Sequence, residues 1–123
     1  MAESREPTLR VTMLPRDTNA RGTIFGGVIL SHIDLAGAIA ASRQAPRNFV
    51  TWAMREVGCI SPVYVGDVVS FYTQVPGEGR TSVTIQVSVE AERSREPRRR
   101  IKVTEAEVIY VAVDEAGNPV PVR

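Results

Sequence analysis

Two residue types that often carry chemistry are nearly missing from this chain, which has one cysteine, Cys59, and one histidine, His32. A single cysteine excludes an intrachain disulfide. The pair also falls short of the three or four ligands a zinc site takes, so no metal site is expected. Cys59 as a nucleophile needs a base beside it, and only His32 could serve; the plainer reading is a half-buried strand cysteine. An excess of charge is lacking too. With 15 basic and 14 acidic side chains the formal net charge is +1, which provides no sequence-wide field to draw the molecule onto nucleic acid or an anionic membrane. No apolar run approaches the roughly 18 residues that span a bilayer. Met1 to Leu9 is charged and interrupted by Pro7, unlike the apolar core of a signal peptide. The expectation is a cytoplasmic protein with no membrane and no nucleic-acid partner.

What is present suits one globular domain covering residues 1–123, 43% of them apolar. Leu9 to Met13 is a short apolar stretch ended by Pro15 and reads as a strand. Pro15 to Gly27 is rich in Pro, Asp, Asn and Gly and reads as an ordered loop, of a length that is usually functional in a small domain. From Gly27 to about Ser42, Val28, Ile29, Ile33, Ala36 and Ala40 recur near the helical period, and Pro46 limits any continuation. The period then changes to two. Phe49 to Ile60, Asp67 to Val75, Thr81 to Arg93 and Ile101 to Val113 read as strands, with a hairpin turn at Gly77, Glu78 and Gly79, and Asp114 to Asn118 closing the last. The fold class is α+β: one substantial helix on an antiparallel sheet of about five strands. The middle of the helix, Ala36-Gly37-Ala38-Ile39-Ala40-Ala41, is almost without bulk, which suits enclosure by a curved sheet or a partner chain. One helix covers one face of such a sheet, and its edges need protection, so at least a dimer is expected.

Two features stand out as chemistry. Gly26 and Gly27 fall where the helix begins, where backbone N–H groups lack intrahelical partners and a carbonyl can be polarised; plain turn chemistry is the competing reading. Asp34 is a carboxylate in an otherwise apolar helix, a setting that disfavours a carboxylate's charge and suits a general base; a solvated aspartate is the alternative. Seven residues separate Gly27 from Asp34, about 10 Å of helix rise, so one reacting group cannot readily touch both on the same helix. His32 points away from Asp34, since positions two apart on a helix do not meet. Ser31 lacks the strand-turn-helix setting of a serine nucleophile. The basic segment from Arg93 through Arg98, Arg99 and Arg100 to Lys102 is expected at the connection between the last two strands, either as a solvated loop or as a phosphate anchor. No aromatic residue is interleaved with it to stack bases.

The run Leu14-Pro15-Arg16-Asp17-Thr18-Asn19-Ala20-Arg21-Gly22-Thr23-Ile24-Phe25-Gly26-Gly27, followed by Ile33-Asp34-Leu35-Ala36-Gly37-Ala38, closely resembles the bacterial acyl-CoA thioesterases related to cytosolic long-chain acyl-CoA hydrolases. Val50-Thr51, Pro62-Val63, Val65-Gly66-Asp67-Val68-Val69, Thr81-Ser82-Val83, Val103-Thr104-Glu105-Ala106 and Tyr110-Val111-Ala112-Val113-Asp114 extend the resemblance over nearly the whole chain. It implies the hotdog fold, a long central helix wrapped by an antiparallel sheet. It implies acyl-CoA as substrate and coenzyme A as product, no metal or organic cofactor, and a homo-oligomer built from dimers, commonly a hexamer made as a trimer of dimers. Asp34 is implied to activate or orient water, Asn19 of a facing subunit to help position it, and the backbone of Gly26 and Gly27 to polarise the thioester carbonyl. Arg80, Ser82, Arg98, Arg99, Arg100 and Lys102 are candidates for the phosphates of coenzyme A. Cys59, where relatives often carry an aromatic residue, and the stretch from Arg55 to Gly58 depart from the pattern and bear on the acyl pocket. A hydratase or dehydratase of acyl thioesters, which needs a histidine paired with a carboxylate, and a non-catalytic acyl-CoA binding module are the competing functions.

Overall fold

The small-residue run at positions 36–41 lies against sheet. A computed structural model describes residues 6–55, 57–58 and 60–123, the side chains of residues 97 and 98 excepted. The chain runs β1 (Leu9–Thr12), α1 (Gly26–Ser42), β2 (Asn48–Arg55), β3 (Val68–Glu78), β4 (Ser82–Arg93) and β5 (Glu96–Val113), with a short 3-10 helix at Pro15–Asp17. The strands form a five-stranded sheet in the order β1-β3-β4-β5-β2, with every neighbouring pair antiparallel. Helix α1 contacts β2, β3, β4 and β5, so the sheet curls around it as the hotdog arrangement requires.

Side-chain alternation explains the layering. Along β4, Val83, Ile85, Val87 and Val89 are fully buried, while Thr84, Gln86 and Ser88 on the other face are half-buried. Ile29, Ile33, Ala36, Gly37, Ala40 and Ala41 are the buried stripe of α1. They meet Phe71, Val69, Ile85, Val108 and Tyr110 in one core. Beyond β5 the chain reverses at Asp114–Asn118, where Asp114 Oδ1 accepts the Ala116 and Asn118 N–H groups at 2.9 Å. It then returns so that Val122 N–H bonds the Arg80 carbonyl. No described helix is long and apolar enough to cross a membrane.

Three boundaries differ from the sequence expectation. Strand β2 ends at Arg55, where its pairing with Glu107 stops. Residues beyond it still cross β5 irregularly, through Ser61 N–H to the Val103 carbonyl. Cys59, expected in that strand, lies outside the described residues. Strand β3 continues through Gly77 and Glu78, which pair with Thr84 and Val83 after a register shift past Gln74. The shift spans Pro76, which has no N–H to give the ladder. Last, the connection between β4 and β5 is only Ser94–Arg95, since Arg93 pairs with Glu96. The segment holding Arg98, Arg99 and Arg100 is therefore strand, and not the loop expected.

Candidate active site

Asp34 sits on α1, half-buried, facing the edge of the sheet where β2 and β5 pair. Its surroundings are not the apolar wall expected of its helix. Thr51 Oγ1 donates to Asp34 Oδ1 at 2.8 Å. The Tyr110 hydroxyl lies 2.7 Å from the Asp34 carbonyl oxygen and 3.0 Å from the same Oδ1. Thr51 and Tyr110 are directly opposite each other across the β2–β5 ladder, so two strands present two hydroxyls to one oxygen. Immediately after Thr51 the register slips at Trp52, a bulge of the kind that re-aims side chains beside functional sites. Oδ2 of Asp34 takes no bond from the described residues. The Tyr110 phenol is held far above its usual range, chiefly by burial and then by the adjacent Asp34 carboxylate.

Asn19 organises the loop ahead of α1. Its Oδ1 accepts the N–H groups of Arg21 at 2.8 Å and Thr23 at 3.2 Å, and its Nδ2 donates to Thr23 Oγ1 at 2.9 Å. Gly22 turns the loop with φ +86°, and Asn19 N–H bonds the Thr23 carbonyl. An asparagine suits this place because one side chain supplies both acceptor and donor. Thr23 Oγ1 is the one acceptor that Nδ2 has among the described residues.

The loop delivers the chain to the first turn of α1, whose N-terminus carries no side-chain cap and no acidic residue. The N–H groups and the positive end of the helix therefore stay available. A Cβ at Gly27 would run into the ring of Phe25, whereas Gly26 sits more openly, its nearest neighbour there being Ile60. Beside it lies a cleft of about 400 Å³ whose lining includes Arg21, Gly26, Ile29, Ile60 and Val63.

The basic candidates fall into two groups at opposite ends of the β4–β5 hairpin. Ser82 pairs with Val111, and Glu92 with Arg100. From Ser82 to Glu92 the strand runs about 33 Å at roughly 3.3 Å per residue. Arg80 and Ser82 are thus near the Asp34 end, and Arg99, Arg100 and Lys102 near the end of β5 that Ser61 crosses. Arg99 pairs with Glu96 at 3.0 Å and Lys102 with Glu105 at 2.7 Å; the latter contact holds the Glu105 carboxyl below its ordinary value. Arg80 and Arg100 make no ion pair among the described residues. The side chain of Arg98 lies outside them.

His32 is turned elsewhere: its Nδ1 bonds the Val28 carbonyl at 2.8 Å and its ring stacks on Phe71 of β3. Sequence reasoning gave no role to Thr51 or Tyr110. A signal for the second was present, because a tyrosine inside the aliphatic run Val108–Val113 must find a partner for its hydroxyl once buried.

A model of the thioesterase superfamily matches residues 21–97. Over 118 residues the chain is 43% identical to the acyl-CoA thioester hydrolase YciA of Salmonella typhimurium, an alignment spanning 94% of this chain and 89% of the relative. Among solved structures, a hexameric hotdog-fold thioesterase of Campylobacter jejuni superposes with a TM-score of 0.90 at 45% identity, covering 97% of this chain and 91% of the other. A hexameric thioesterase of Yersinia pestis gives a TM-score of 0.91 at 38% identity, covering 100% and 99%.

Proposed function

The chain belongs to the thioesterase superfamily, and on that premise we propose that it hydrolyses acyl-CoA to free fatty acid and coenzyme A, with Asp34 activating water. The observation that carries the reading is the loading of Asp34: two hydroxyls on Oδ1 hold the carboxylate and leave Oδ2 to accept a proton. Water then adds to the thioester carbonyl carbon as Oδ2 takes its proton. The oxyanion that forms is stabilised by the uncapped N–H groups at Gly26 and Gly27. The tetrahedral intermediate collapses with cleavage of the carbon–sulfur bond, and the proton passes from Asp34 to the leaving thiolate.

Gly27 and Asp34 are about 10 Å apart along one helix, so this chemistry joins the helix N-terminus of one subunit to Asp34 of another. Asn19, at the base of the same N-terminus, then faces the carboxylate across the interface and positions water or the thioester. The same pairing brings the Arg80–Ser82 end of one hairpin and the Arg98–Lys102 end of the other toward one coenzyme A. A homo-oligomer is part of the proposal, and a hexamer is its preferred form because both of the similar structures above are hexamers. Exposed Phe25, Leu35, Val50 and Trp52 support it as surface that a lone subunit leaves wet. The position of His32, stacked on β3, gives the hydratase reading no support.

The test is a panel of acyl-CoAs from acetyl to palmitoyl, with free thiol followed colorimetrically and Asp34→Asn run beside the wild type. Thiol release by the wild type, with kcat lower by about 10²–10⁴-fold in the variant, is expected for loss of a general base. Acyl-CoA binding without thiol release would instead make the protein a binding module.

A further inference from the structure

We infer that Tyr110 is a positioning residue for Asp34, and that the missing side chain of Gly37 is what admits it. The inference rests on the hydrolase reading of Asp34. Tyr110 is fully buried on β5, yet its hydroxyl reaches the helix and touches both the carbonyl oxygen and the carboxylate of one residue. A phenol has one proton to donate, shared here between two acceptors that are parts of the same aspartate. That arrangement fixes the Asp34 side chain relative to its own backbone, which a bond to the carboxylate alone would not do.

Gly37 lies three residues further along α1, on the turn beside Asp34. A Cβ there would collide with the Tyr110 hydroxyl and come within 3.0 Å of its ring carbons. Glycine inside a helix is destabilising relative to alanine, so its presence in a run of alanines calls for a compensating contact, and the phenol is that contact. Thr51 loads the same oxygen from the neighbouring strand. Together the two donors direct basicity to Oδ2 and keep it aimed. Burial keeps the phenol protonated, so it remains a donor across the pH range in which the carboxylate works.

A buried tyrosine that merely satisfied its hydroxyl would make the same contacts, so the test must read the reaction. In Tyr110→Phe, kcat for acyl-CoA should fall about tenfold or more with KM within roughly twofold, because an interaction with the reacting group and not with bound substrate is lost. Gly37→Ala keeps the hydroxyl but displaces it, and should lower kcat in the same way with KM little changed; it serves as the test if Tyr110→Phe fails to fold. Wild-type kcat in whichever variant folds would overturn the inference. That result, alongside an active wild type and an inactive Asp34→Asn protein, leaves the hydrolase reading standing; a wild type that releases no thiol removes both.

Discussion

The guanidinium of Arg93, near the end of β4, is bonded to the carboxylate of Asp67, which is 2% exposed at the entrance to β3. The same carboxylate accepts the Tyr64 N–H at 2.9 Å, while Arg93 also donates to the Pro62 carbonyl at 3.0 Å and lies over the Tyr64 ring. One ion pair thus ties the irregular segment after β2 to the central strands. Removing a single partner strands a buried charge. Arg93→Met should destabilise the fold by about 3 kcal/mol, read from urea unfolding. Asp67→Asn should cost less, because Arg93 is partly exposed and can turn to water, and the double variant should recover part of the Arg93→Met loss. Equal stability of Arg93→Met and wild type would refute this account.

Alkaline pH should weaken the fold through Tyr110. Its phenol is held above the ordinary tyrosine value of 10.0 by burial first and Asp34 second. Above that pH the unfolded chain has released this proton and the native state still holds it. The stabilisation is therefore complete below the unfolded value and is lost as pH rises from there toward the native one. Urea midpoints measured at about pH 8 and about pH 10.5 should fall more for wild type than for Tyr110→Phe. Parallel loss in the two proteins would contradict it.

Asn19 should be measurable as a loop fastener. Alanine there removes the acceptor of two N–H groups and the donor to Thr23, at about 1–2 kcal/mol. Arg21, exposed in that loop, should then be cut several-fold faster by trypsin. Asn19→Asp keeps the acceptor and should stay close to the wild-type cleavage rate.

Trp52 is the only tryptophan of the chain and is 72% exposed on edge strand β2, beside exposed Val50. If this edge is covered in the assembly, its emission should be blue-shifted at high concentration and move to the red as the protein is diluted into subunits. Trp52→Lys should shift the mass seen by light scattering toward smaller species. An emission that stays red at every concentration would place the subunit contact elsewhere.

Most of the architecture was legible because period is legible. Val83 to Val89 alternate and do form β4; Ile29, Ile33, Ala36 and Ala40 repeat and do form the buried face of α1. Where strands end was harder, because an end is set by the partner. Val57 and Ile60 keep the apolar character of β2 past the point where β5 stops pairing with it at Glu107. The basic residues of β5 look like a loop until Glu92 is seen opposite Arg100 and Glu90 opposite Lys102. Asp34 stood out as a charge in an apolar helix. Its two donors did not, since the hydroxyls lie 17 and 76 residues away and only the fold brings them to one oxygen.

That separation has a consequence for how the protein comes into being. Strands β3, β4 and β5 are consecutive and can zip as hairpins, whereas β2 has β5 as its sheet partner and Asp34 depends on both. A ribosome releases the loop, the helix and β2 long before the strand that receives them. The nascent amino-terminal half must therefore wait, its apolar helix face unpartnered, until residues near 110 emerge. The Asp34 cluster is then the last part to assemble, and a chain truncated before Tyr110 loses one donor to that carboxylate along with the partners of Asn48–Thr51 on the β2 edge.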